Sequence, residues 1–161
     1  MDVWHCDALG AYSDVGENGT TGQKWLRGSQ ITNAQGIARF TTIFPGWYQG
    51  RTVHIHFKIR TLVEGKTHDF TSQFFFNDAL TEKIHAKQPY AQNGQRDVRN
   101  DRDGIYRESG GQLLLNLKPS GVGYTAKFDL GVDLSRSALN RGPGRGGPGE
   151  DGGPPPPMFG W

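Results

Sequence analysis

A chain of 161 residues has room for one ordinary domain with a single core. Its 18 basic and 16 acidic residues leave a net charge of +2 with the signs interspersed, which implies neither a nucleic-acid nor an anionic-membrane partner. The single cysteine, Cys6, excludes an internal disulfide, and no run approaches the roughly 18 apolar residues of a membrane helix.

Short runs of β-branched and aromatic residues separated by turn residues predict an all-β protein. In chain order, strands are expected over residues 1–6, 37–43, 52–60, 67–76, 112–117 and 123–130. Breakers such as Asn33-Ala34-Gln35-Gly36 and Glu64-Gly65-Lys66 stand between them. Residues 79–87, following Asn77-Asp78 as a cap, read as one short helix. The series fits an antiparallel β-sandwich with long loops better than βαβ units, which need repeated helical patterns. Because the chain opens directly on a strand, an upstream piece is expected.

From Gly142 to Pro157 the sequence reads GPGRGGPGEDGGPPPP, with no apolar side chain beyond proline to bury. A domain over residues 1–141 is therefore expected, followed by a disordered Gly/Pro-rich tail over 142–161. The tail spells G-x-G-x-x-G at Gly142–Gly147, but without the flanking strand and helix that a dinucleotide site requires.

The chemistry concentrates in FPGWYQGRTVHIHF, residues 44–57. Side chains of a strand repeat every two residues, so His54 and His56 leave one face about 6.6–6.8 Å apart along the strand and can converge on one metal ion. The alternative for a bare H-x-H is a pair of solvent-facing polar residues. Tyr48 stands six residues before His54, past a Gln-Gly pair that can bend the chain. A phenolate is a hard, anionic donor that suits Fe(III), and imidazole tolerates iron well. Such a charge would hold Tyr48 deprotonated despite a free pKa near 10. One more anionic oxygen is expected for balance, and Tyr12, just beyond the first strand in DALGAY, supplies a candidate whose alternative is an ordinary surface or core tyrosine.

These residues carry a resemblance. VWHCDALGAYSDV, then KWLRGSQITNAQGIARFTTIFPGWYQGRTVHIHFKIR, then FTSQFFFNDAL and RNDRDGIY, in that order, resemble the intradiol ring-cleavage dioxygenases, from Val3 to about Val132. The resemblance implies a β-sandwich that holds a non-haem ferric iron on Tyr12, Tyr48, His54 and His56. It implies that Arg51 lies against a bound catechol-type diol and stabilises its developing negative charge, and that Gln73 stands near the dioxygen side. It further implies that Tyr48 is the tyrosine displaced when a catechol binds as a dianion, and that O2 is incorporated to give a muconate-type diacid. Fe(III) with two phenolates and one hydroxide is formally neutral, so the exchange leaves no net charge buried.

The segment between Tyr48 and His54 is shorter than in the classical cytosolic enzymes and is similar to that of an exported or stand-alone subgroup, which implies export. Family members carry at least one strand before VWHCDA, so a sheet edge left unpaired would favour a homo-oligomer. Two other readings stand beside this one. A cupin-type Fe(II) site would need a glutamate about four residues past the second histidine, whereas Glu64 is eight past His56. A non-catalytic secreted β-sandwich, or an inactive fragment, would keep the scaffold without the metal.

Of the other residues, His5 is expected to be structural, His68 and His85 to lie on the surface, and Cys6 to be a small buried apolar residue. Trp25 is assigned to the core or to the pocket rim. Arg96, Arg99, Asp101, Arg102 and Asp103 read as a solvated loop whose pairs contribute little.

Overall fold

The computed structural model describes residues 1–133. The tail expected over 142–161 lies outside the described residues. What is described is rich in antiparallel strands, as the sequence implies.

Strands β1 (Asp2–Trp4), β2 (Arg27–Ser29), β3 (His54–Val63) and β4 (Lys66–Phe75) form one sheet in the order β2-β1-β3-β4. Neighbours in it run antiparallel. The long hairpin β3–β4 pairs from His54↔Phe75 to Val63↔Lys66. Its turn, Glu64-Gly65, has positive φ at both residues (51° and 75°), the backbone twist that a two-residue hairpin needs. A second hairpin joins β5 (Lys118–Ser120) to β6 (Gly123–Thr125).

The hairpin is buried at only one end. His54, His56, Phe57, Gln73, Phe74 and Phe75 are covered, while Leu62 and Phe70 toward the turn are exposed. Phe57 stacks on Phe74 with ring centroids 4.3 Å apart, and Phe75 meets Tyr106 edge-on at 5.2 Å. Each such ring taken from water contributes about 1.5–3 kcal/mol, so the packed core and the histidine pair share this end.

Helix α1 (Asp78–His85) begins where the Asn77 side chain accepts the Leu80 amide at 3.1 Å, the expected cap. A second short helix, α2 (Gly104–Glu108), was not expected; the Asp103 side chain caps it through the Tyr106 amide.

Three strand expectations are corrected. Residues 37–43 form no ladder: Ile37 and Ile43 are exposed, and among the described residues no strand runs beside them. Residues 112–117 make only an isolated parallel bridge, Phe75↔Leu114. Of residues 123–130 only β6 is strand. A β-branched or aromatic run becomes a strand only where a partner backbone meets it. Conversely, β2 forms from Arg-Gly-Ser, which carries no strand signature, because β1 supplies the ladder.

Candidate metal centre

Two loops carry the tyrosines, and two glycines let them cross. The loop after β1 is closed by the Asp7 carboxylate, whose Oδ1 accepts the Leu9 and Ala11 amides at 2.9 Å each. It meets residues 44–48 so closely that a Cβ on Gly10 would lie 2.2 Å from the Trp47 carbonyl, and one on Gly46 would lie 2.5 Å from the carbonyls of Asp7 and Ala8. Gly10 also has φ +90°, a region that L side chains rarely enter. Beyond this crossing Thr20 Oγ1 donates to the Tyr12 carbonyl at 2.6 Å, and Arg27 Nη2 donates to the Ser13 carbonyl at 2.7 Å, fixing the chain on both sides of the Tyr12 ring.

The other loop is held from its far side. His85 Nε2 donates to the Pro45 carbonyl at 3.0 Å and the Tyr90 hydroxyl to the Phe44 carbonyl at 2.8 Å, with the His85 and Tyr90 rings stacked 5.2 Å apart. His85 is thus buried, contrary to the surface position expected for it: it substitutes for the backbone partner that this irregular loop lacks. His68 is only half-buried. His5 is structural as expected, its nitrogens taken up by the Cys6 carbonyl and the Thr42 hydroxyl. Cys6 is buried, and burial pushes its thiol up to about 12. Trp25 is half-buried and donates to Gln23 Oε1.

The structure brings Tyr12, Tyr48, His54 and His56 together. Tyr48 Oη lies 3.1 Å from His54 Nε2, which lies 3.1 Å from His56 Nε2. The Tyr12 ring stands edge-on to Tyr48 at 5.6 Å and to His56 at 6.1 Å. His54 Nδ1 lies 2.7 Å from the Thr52 carbonyl, which only accepts, so Nδ1 carries the proton and Nε2 turns a lone pair toward the cluster. The histidines are buried, which sets aside the solvent-facing alternative for a bare H-x-H.

Without a cation the cluster is held neutral. Burial, reinforced by Arg51, pushes His54 down to about 3; burial and then His54 hold His56 well below the usual histidine range. Burial lifts Tyr12 well above the ordinary phenol value, with Tyr48 beside it adding to the effect, and lifts Tyr48 to about 12. The buried Tyr12 hydroxyl makes no hydrogen bond of ordinary geometry. An orphaned hydroxyl of this kind is rare unless something else occupies its lone pairs. Two imidazole nitrogens 3.1 Å apart also match adjacent ligands of one ion, since donors about 2.1 Å from a metal at a right angle lie about 3 Å apart. The donor set therefore fits a hard trivalent cation such as Fe(III). Among the described residues no group of three or more His, Cys, Asp or Glu could hold a metal, so a centre here depends on the phenols.

Arg51 and Gln73 border the cluster. Gln73 pairs with His56 in the β3–β4 register, and its Nε2 lies 3.3 Å from His56 Nδ1. Arg51 Nη2 donates to Gln73 Oε1 at 2.5 Å, and Arg51 Nε donates to Asp103 Oδ2 at 2.8 Å.

The reading of Arg96, Arg99, Asp101, Arg102 and Asp103 as a solvated loop is corrected at Arg96 and Asp103, and Asn100 between them is buried as well. Asp103 is 2% exposed, Asn100 is buried against Thr52 Oγ1, and the Arg96 side chain is buried between Asp78 and Glu82 of α1. In sequence a buried ion pair looks the same as a solvated one; Asp-Gly ahead of a helix was the only available signal, and it marks a cap.

No family model matches the chain, and no curated protein matches it. Solved structures do. An intradiol ring-cleavage dioxygenase from Tetranychus urticae superposes with a TM-score of 0.67 at 30% identity over 78% of this chain. The crystal structure of dioxygenase Tetur07g02040 superposes with a TM-score of 0.59 at 32% identity over 73%. The chain belongs to the intradiol ring-cleavage dioxygenase family. It spans 66% and 62% of the lengths of these two proteins.

Proposed function

We propose that the chain cleaves the aromatic ring of catechol-type diols between the two hydroxyls, consuming O2 and giving a muconate-type diacid, with Fe(III) held by Tyr12, Tyr48, His54 and His56. The observation that carries the reading is the convergence of the Tyr48 oxygen and both Nε2 nitrogens in steps of 3.1 Å beside a buried Tyr12 hydroxyl that makes no hydrogen bond of ordinary geometry. The ion would supply Lewis acidity and affinity for a catecholate.

The chain's own residues account for the rest. Of the four donors Tyr48 is the least buried. As a phenolate Tyr48 would be a base for one proton of the diol, and the resemblance implies that it is the tyrosine the diol displaces. Tyr12, more deeply buried and enclosed by its loop, keeps its place. Arg51 presents a permanent cation beside the cluster, where it offsets the negative charge of the ionised diol. Gln73 bridges Arg51 to His56, its Oε1 accepting from Arg51 and its Nε2 lying 3.3 Å from His56 Nδ1.

A domain over residues 1–141 built as two facing sheets belongs to the same proposal, and export of the protein rests on subgroup resemblance alone. No helix among the described residues is long and apolar enough to cross a membrane.

The test is metal analysis of iron-supplemented protein together with oxygen uptake on catechol, protocatechuate and hydroxyquinol. One iron per chain and one O2 consumed per diacid formed are expected. A well-folded sample with neither iron nor uptake rejects the reading.

A further inference from the structure

The Asp103 carboxylate is the most fully engaged charge beside the cluster. Its Oδ2 accepts from Arg51 Nε at 2.8 Å and from the Thr52 amide at 3.0 Å, while Oδ1 accepts the Tyr106 amide at 2.9 Å. Its side chain is fully buried and that of Arg51 is 8% exposed. Arginine has many rotamers and would lose precision if held at one end only. Here Nε is fixed by Asp103 and Nη2 by Gln73, so the plane of the guanidinium is set by two groups from separate elements. The same chain of contacts runs on from Gln73 to His56 Nδ1.

We propose that Asp103 is a positioning residue: it acts through Arg51, fixing the orientation in which the guanidinium faces the Tyr48–His54–His56 cluster. The inference rests on the function proposed above. Arg51 supplies the charge and Asp103 the aim, which matters because a misplacement of about 1 Å can cost on the order of a hundredfold in rate. Burial alone would raise the carboxylate; the Arg51 contact and the two amides outweigh it and keep Asp103 below the usual range, so it remains the anion this role needs.

Asp103→Asn is the informative variant, because asparagine caps a helix as well as aspartate and nearly matches its shape, yet removes the charge. The expected result is a ten- to hundredfold fall in kcat/KM for catechol, with iron content and visible absorption unchanged. In a double-mutant cycle with Arg51→Gln, the Asp103→Asn/Arg51→Gln protein is expected within about twofold of Arg51→Gln alone. In metal-free protein, NMR exchange of the Arg51 Nε proton is expected to quicken at least tenfold in Asp103→Asn. Multiplying losses in the cycle, kcat/KM within twofold of wild type, or unchanged exchange each overturn the proposal. Wild-type protein that takes no iron and cleaves nothing instead sinks the proposed function, and the exchange measurement then decides alone whether Asp103 holds Arg51.

Discussion

Trp4 lies flat on His56: their ring centroids are 4.9 Å apart and the planes differ by 2°. The two residues are direct partners across β1 and β3, so the stack follows from sheet register. Trp4 is 5% exposed. Trp4→Ala is expected to cost about 3–5 kcal/mol in urea unfolding of metal-free protein, whereas Trp4→Phe, which keeps a ring on the imidazole, should cost markedly less. Equal losses in the two variants would show that the stack contributes nothing beyond volume.

Tyr12→Phe should have opposite effects on the metal-free and metal-loaded protein. A buried hydroxyl whose contact with the Tyr48 hydroxyl falls short of ordinary hydrogen-bond geometry costs up to about 1–3 kcal/mol, so its removal should leave metal-free stability unchanged or raised by up to that amount. The same change should abolish or strongly weaken iron retention. Calorimetry of the metal-free variant and metal analysis of the loaded one check both halves; a destabilised metal-free variant would show that the hydroxyl has a partner after all.

The glycine crossing gives a sharper structural prediction. Gly10→Ala meets the Trp47 carbonyl at 2.2 Å at a backbone of φ +90°, and Gly46→Ala meets two carbonyls at 2.5 Å. Neither neighbour is a flexible side-chain end. Each variant should lose at least about 2 kcal/mol and bind iron poorly, whereas Gly19→Ala, in the ordinary left-handed region (φ 66°, ψ 23°) with nothing near its Cβ, should lose only about 1 kcal/mol. Melting temperatures of the three order the effects.

Acid should unfold the metal-free protein early. Burial lowers the proton affinity of His5, His54, His56 and His85 in the native state, that of His54 to about 3. In the unfolded chain each titrates near 6.5. As pH falls through that value the unfolded state binds protons that the native state refuses. Stability that is complete above about pH 6.5 therefore declines toward the folded pKa, by up to about 1.4 kcal/mol per pH unit for each histidine. Urea midpoints should drop steadily from pH 7 to pH 5, and a flat profile would contradict the burial of these rings.

The histidine pair and Tyr48 were legible because strand alternation and a short loop act locally, within FPGWYQGRTVHIHF. Tyr12 was legible only as a candidate for charge balance and through the likeness of DALGAY, since the glycine crossing that delivers it joins residues far apart in sequence. Asp103 and Arg96 were illegible for a different reason: whether a charged pair is solvated or buried is decided by what folds over it. The extended run over 37–43 misled because strand propensity cannot say whether a partner backbone will be there. His85 misled likewise, its burial being set by a loop 40 residues earlier.

Metal content and visible absorption of the wild-type, Tyr12→Phe and Tyr48→Phe proteins, all purified from iron-supplemented cells, test the central claim most directly. Wild type should carry one iron per chain and a visible phenolate-to-iron band, which weakens in either variant. A folded wild-type protein that is colourless and iron-free, or a band unchanged by loss of either phenol, would contradict an iron centre built on these tyrosines.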